Sequence, residues 1–163
     1  MKSADSKTKY FNRDETIMNV SNESPDIELA LFQIGDMLCG LDTRHVQEIN
    51  HKFEITPVHR APDYVRGVIN LRGEIVTVID LHKKFNMLPS EADDDTQVVF
   101  VRYEEECIAL LVDNIYDVVI AHHFDISAPP SNVDGISGTF INAVYRMEKD
   151  LVIILNLDEL LKK

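Results

Sequence analysis

The residues in this 163-residue chain that could do chemistry are six histidines, two cysteines, an excess of carboxylates and one oddly placed arginine. His122 and His123 stand side by side, two residues before Asp125, and form the densest set of metal-type ligands. Their spacing fits no standard zinc pattern, and neighbours on a strand point to opposite faces, so both would not grip one ion. The run Asp93-Asp94-Asp95 has no strand or helix to aim it, and general acid–base work needs held geometry. No GxSxG elbow, HExxH pair or GxxxxGK[ST] loop occurs. Gly67, Gly73 and Gly138 do not lead into helices as nucleotide loops do, which leaves tight turns or close backbone approach as their role. Cys39 and Cys107 sit in apolar, strand-like stretches without a neighbouring positive charge, where cysteine packs as a small hydrophobe. These readings predict no enzyme, no metal and no cofactor.

The arginine is Arg72, between two apolar strands in GVINLRGEIVTVIDL, residues 67–81. A guanidinium in that position needs solvent or an acidic partner. Glu48, in the strand-like segment HVQEI, is the candidate, because bidentate arginine–carboxylate pairs hold geometry well. Such a pair either fixes one strand against another or presents a charged surface, and the pattern alone leaves both open.

These residues need elements to carry them. From Glu28 onward, short runs rich in Val, Ile and Phe alternate with Gly, Asp, Asn and Pro, the pattern of short strands and turns. ELALFQI and MLCGL read as a hairpin across Gly35-Asp36, and TQVVFVRY and CIALLV as another across Glu104-Glu105. Arg72-Gly73 is read as the turn between GVINL and EIVTVI. DYVR, residues 63–66, reads as one helical turn, and residues 51–62 and 127–135 as loops. Asp80 is read as the N-cap of a short helix over LHKKF.

The pattern restarts after the acidic break SEADDD, residues 90–95. EIVTVIDLHKKF (74–85) and DLVIILNLDELL (150–161) share an acidic start, five strand positions, an Asp or Asn cap, a leucine and a short helix. The two hairpins also resemble each other. The sequence therefore predicts a mostly β protein of two similar units of about five strands each. Five short strands enclose a thin core, so the units are expected to pack together and share one. Residues 1–26 are polar, lack a sustained period and read as a disordered tail.

Composition excludes several functions. Lysine plus arginine number 16 against 28 acidic residues, a formal charge of −12. That argues against nucleic-acid backbones and anionic lipid, both of which require a basic face. No apolar run approaches the roughly 18–20 residues of a membrane span, and the N-terminus lacks the apolar stretch of a signal peptide. A cytoplasmic protein without membrane insertion is expected.

VQEI (46–49), Ala61-Pro62 and VRGVINLRGEIVTVIDLHKKF (65–85) together resemble the CheW coupling-protein domain of bacterial chemotaxis. FQIGDMLCGLD (32–42), VDNIYDVV (112–119) and LVIILNLDELL (151–161) extend the likeness over residues 27–161, within an expected domain of residues 27–163. The resemblance implies two intertwined, five-stranded SH3-like β-barrel subdomains sharing a core, with short capping helices. It implies a non-enzymatic adaptor between the cytoplasmic tip of chemoreceptors and the regulatory domain of a CheA-type histidine kinase, recruited to membrane receptor arrays. By position, Val46 falls on the kinase-facing surface, Glu48 and Arg72 match a pair in the coupling region, and Gly67, Asn70, Leu71 and Gly73 match the loop beside it. Receptor helices would dock in the groove between the barrels. The same fold could serve a surface-motility or other chemosensory pathway, and a small β-barrel ligand-binding protein is the reading from another class. The family often carries proline at Thr77 and arginine at His82. The latter change is expected either to cost an ion pair or to leave a group that titrates near neutrality.

Overall fold

The computed structural model describes residues 25–50, 53–88 and 97–162. The tail read over residues 1–26 thus falls outside them except for Pro25 and Asp26, as does the acidic break. Thirteen strands and two short helices follow one another along the described chain: β1 (Ile27–Ile34), β2 (Met37–Asp42), β3 (Val46–Asn50), β4 (Val65–Leu71), β5 (Glu74–Asp80), α1 (Leu81–Lys84), β6 (Gln97–Tyr103), β7 (Glu106–Val112), β8 (Asn114–Ala121), β9 (Ile126–Ser127), β10 (Asn132–Val133), β11 (Ile136–Ser137), β12 (Ile141–Arg146), β13 (Leu151–Leu155) and α2 (Leu157–Leu161).

They form a six-stranded sheet ordered β8-β1-β2-β13-β12-β9, a five-stranded sheet ordered β3-β6-β7-β5-β4, and the small hairpin β10-β11. The two large sheets repeat one plan. A central hairpin, β1-β2 or β6-β7, has its second strand bonded in parallel to β13 or β5. That strand pairs antiparallel with its predecessor, β12 or β4, and runs into a one-turn helix. Asp80 and Asn156 cap the two helices from the same position of the repeat, accepting N–H bonds from Lys83 and Glu159. The repeat seen in the sequence is therefore structural.

Its boundary lies elsewhere than the restart after residue 95 implies. β6 and β7, after the acidic break, join β4 and β5, before it. Residues 46–112 contribute the whole five-stranded sheet, and the chain's two ends build the six-stranded one. The link is the parallel pairing of β2 with β13, where Leu38 faces Val152. Two local readings also change. Residues 63–66 form a turn running into β4 rather than a helical turn, and residues 127–135 contain β10.

Burial explains the long apolar runs. In β6, Val98 and Phe100 belong to a cluster within the five-stranded sheet, while Val99 and Val101 belong to the largest cluster. β7 divides in the same way, Ala109 and Leu111 against Leu110 and Val112. In the other sheet, Val152 and Ile154 of β13 join Leu29 and Leu31 in an inner cluster, and Ile153 and Leu155 join the largest one. Each sheet thus curls over its own apolar filling, and its other face contributes to a common core. A strand covered on both faces reads as a continuous hydrophobic run rather than an alternation.

Candidate partner-binding site

The curl is visible at Glu48 and Arg72. Glu48 lies on β3 and Arg72 in the turn after β4, and these strands are the opposite edges of the five-stranded sheet. Their side chains nevertheless meet in a fork: Nη1 donates to Oε2 at 2.6 Å and Nη2 to Oε1 at 3.1 Å. The pair expected from the sequence is present and closes the seam. A register shift between Val46 and Glu48 sets Glu48 opposite Phe100, on the inner face. Arg72 (φ +53°) and Gly73 (φ +87°) both occupy the left-handed region, as a two-residue hairpin turn of the primed type requires. Asn70 closes that turn, its Oδ1 accepting the Gly73 N–H at 2.9 Å.

The pair is also a surface. The Arg72 side chain is 70% exposed and that of Glu48 22%. The hydrogen bonds it donates to Glu48, and then the Glu48 charge, hold the Arg72 guanidinium above its ordinary range, so the cation is permanent. Two apolar side chains of β3 and β5 are also exposed. Ile49 is 41% and Ile75 64% exposed, the latter paired with Asn70 across β4-β5. Sequence reasoning missed both, because isoleucine in a strand reads as core and periodicity does not distinguish the two faces of a curled sheet.

The other expected residues are placed differently. Val46 is half-buried and packs on the common core. Leu71 packs on the inner cluster beside Phe53 and Ile55. Gly67 is buried and offers no side chain to a partner. A Cβ there would lie 2.3 Å from the Thr56 carbonyl oxygen, where the chain bonds to Val68 on both sides. Gly67 thus permits the segment before β4 to lie across the sheet.

The outer face of the same β4-β5 hairpin lines a cavity of about 330 Å³. Tyr64, Val65, Ile79 and Ile108 form its walls on the five-stranded side, and Leu160 and Leu161 of α2 close it from the other. Lys84 stands at its rim with Nζ 3.9 Å from the centre of the Tyr64 ring. The trough between the sheets has an apolar floor and a polar rim of Thr77, Lys84, Glu106 and Lys162, which suits an amphipathic segment.

The reactive-looking residues are occupied elsewhere. His122 and His123 do converge, contrary to the expectation for neighbours on a strand, because β8 ends at Ala121 and a tight turn follows. Both bond Asp26, His122 through Nδ1 at 3.0 Å and His123 through its backbone N–H at 3.2 Å. Burial pushes the Asp26 carboxyl up, but the hydrogen bonds from the two histidines outweigh it and hold the group below the usual carboxylate range. Among the described residues no cluster of three or more potential ligands could hold a metal. Cys39 and Cys107 are buried free thiols, and burial pushes Cys39 up to about 12. His82 faces Asp113, with Nε2 2.9 Å from its carboxylate.

Two curled sheets around a shared core, with an exposed ion pair and an apolar groove on one hairpin, define a binding module. The chain belongs to the CheW-like family, whose domain model matches residues 28–163. It is similar to the chemotaxis protein CheW of Treponema pallidum, 31% identical over 147 residues covering 88% of this chain and 85% of that protein. It is 27% identical to the CheW of Klebsiella aerogenes over 146 residues, 90% of this chain and 88% of that one. The crystal structure of the scaffolding protein TtCheW from Thermoanaerobacter tengcongensis superposes with a TM-score of 0.80 at 27% identity, covering 85% of this chain and 94% of that one. Among the described residues no helix is long and apolar enough to cross a membrane.

Proposed function

We propose that this chain is a non-enzymatic chemotaxis adaptor that couples the cytoplasmic tip of chemoreceptors to the regulatory domain of a CheA-type histidine kinase. In this reading each curled sheet is an SH3-like barrel, and the protein works in the cytoplasm, recruited to receptor arrays. The observation that carries it is the β4-β5 hairpin. Its tip carries Arg72, which forks to Glu48 of β3, and its outer face lines the groove. One rigid element therefore presents two chemically different surfaces. The charged tip, its turn shaped by Asn70 and Gly73 and supported from within by Val46 and Leu71, suits the kinase domain. The groove suits a receptor helix. Holding both partners at once lets a change in one bias the other, with no bond made or broken in the adaptor.

The test is a pair of pull-downs with purified partners, the kinase regulatory domain and a receptor tip from the same organism. Arg72→Glu is expected to lose the kinase domain and keep the tip. Lys84→Glu, at the groove rim, is expected to lose the tip and keep the kinase domain. Equal loss of both partners in either folded variant contradicts the division of surfaces.

A further inference from the structure

The helix α1 is a single turn, too short to hold its own conformation, and it carries Lys84 to the groove rim. Its orientation must be imposed by neighbours. At its start the buried Asp80 carboxylate accepts the Lys83 N–H at 3.3 Å and an Arg66 Nη2 bond at 2.8 Å. These contacts tie α1 only to its own sheet.

The second anchor is His82. Two residues before Lys84, it points about 200° away around the helix. It is only 5% exposed. Nε2 lies 2.9 Å from each oxygen of the Asp113 carboxylate, and Nδ1 lies 3.0 Å from the Leu88 carbonyl oxygen. Asp113 also accepts the Gly35 N–H at 2.6 Å from the β1-β2 turn, and its own N–H donates to the Gln33 carbonyl at 3.0 Å. It stands between β7 and β8, where the chain leaves the five-stranded sheet for the six-stranded one. One carboxylate therefore joins the helix of one sheet to the central hairpin of the other.

We propose that the His82–Asp113 pair is the pin that fixes α1 against the six-stranded sheet and so sets the width of the groove between Lys84 and α2. Tyr64 and Lys84 on one wall and Leu160 and Leu161 on the other belong to different sheets, and their spacing follows the angle between the sheets. The pin crosses that junction through a part-buried hydrogen bond to a carboxylate, a stronger contact than one between neutral groups. Both partners of the imidazole are acceptors, so the niche takes a side chain that only donates, and arginine meets that requirement. The pin rests on the reading of the groove as a partner site only for its functional consequence, not for its geometry.

The experiment places spin labels on α1 and α2 by Lys83→Cys and Lys162→Cys in the full chain, the buried native thiols staying unlabelled. It records the interlabel distance distribution, then measures affinity for a purified receptor tip. His82→Leu is expected to broaden the distribution and weaken tip binding about tenfold, and His82→Arg to restore both to within twofold. A folded His82→Leu protein with an unchanged distribution overturns the proposal. Should that variant not fold, His82→Gln, which keeps a donor toward Asp113 alone, is read instead and must broaden the distribution. If the distribution broadens while even the unaltered protein ignores the tip, the pin stands and the groove assignment falls.

Discussion

Alanine at Gly67 separates a structural from a contacting role in the coupling region. The added Cβ would lie 2.3 Å from the Thr56 oxygen, 2.8 Å from its carbonyl carbon and 2.9 Å from Ile55 Cγ2, so the backbone itself must move. Two hydrogen bonds hold that backbone, Thr56 N–H to the Val68 carbonyl and Val68 N–H to the Thr56 carbonyl, both 2.8 Å. Each is worth about 1 kcal/mol net, and φ of +154° adds about 1 kcal/mol of strain for a side-chain-bearing residue, so Gly67→Ala should cost about 3 kcal/mol. At this chain length that corresponds to a fall of about 10 °C in Tm. The assay is thermal and urea unfolding of the variant, followed by kinase-domain binding at a temperature where it is folded. Stability should fall, with binding recovered in the folded fraction. An unchanged Tm with binding abolished would refute it and make Gly67 part of the contact surface itself.

Three other perturbations follow from the same geometry. Ile49→Asp together with Ile75→Asp should weaken kinase-domain binding more than tenfold with little change in the urea midpoint, since both side chains are already exposed. Asp80→Ala removes the α1 cap and leaves the Arg66 guanidinium unpaired, so urea unfolding should show a loss of about 2–3 kcal/mol. The Cys39 thiol should resist thiol reagents at pH 8 until the protein unfolds. The unfolded thiol ionises near 9.0 while the native one holds its proton to about 12, so the native state binds more protons between these values and stability falls as pH rises through them. Cys39→Ala should flatten that alkaline slope, and an unchanged slope would assign it to other groups.

The strands were legible because apolar runs bounded by Gly, Asp and Asn have few other readings. The repeat was legible because Asp80 and Asn156 stand at equivalent places after five strand residues. The Arg72–Glu48 pair showed as a cation with no local partner in an apolar stretch. What the chain order hid was pairing over distance. The contact of Leu38 with Val152 decides which strands share a sheet, and no local pattern encodes it. The same holds for Asp26, which gathers His122 and His123 from about a hundred residues away. Ile49 and Ile75 were hidden for another reason. In strands buried on both faces, the residue left outside has the same type as those within.

The most direct measurement is a calorimetric titration of this protein with the regulatory domain of a CheA-type kinase from the same organism, repeated with Arg72→Glu. The account predicts saturable binding by the unaltered protein and at least a tenfold loss in a variant whose unfolding transition remains cooperative. Equal affinity in the variant, or an unfolding transition lost with the charge reversal, would make the fork a seam of the sheet alone and contradict the account.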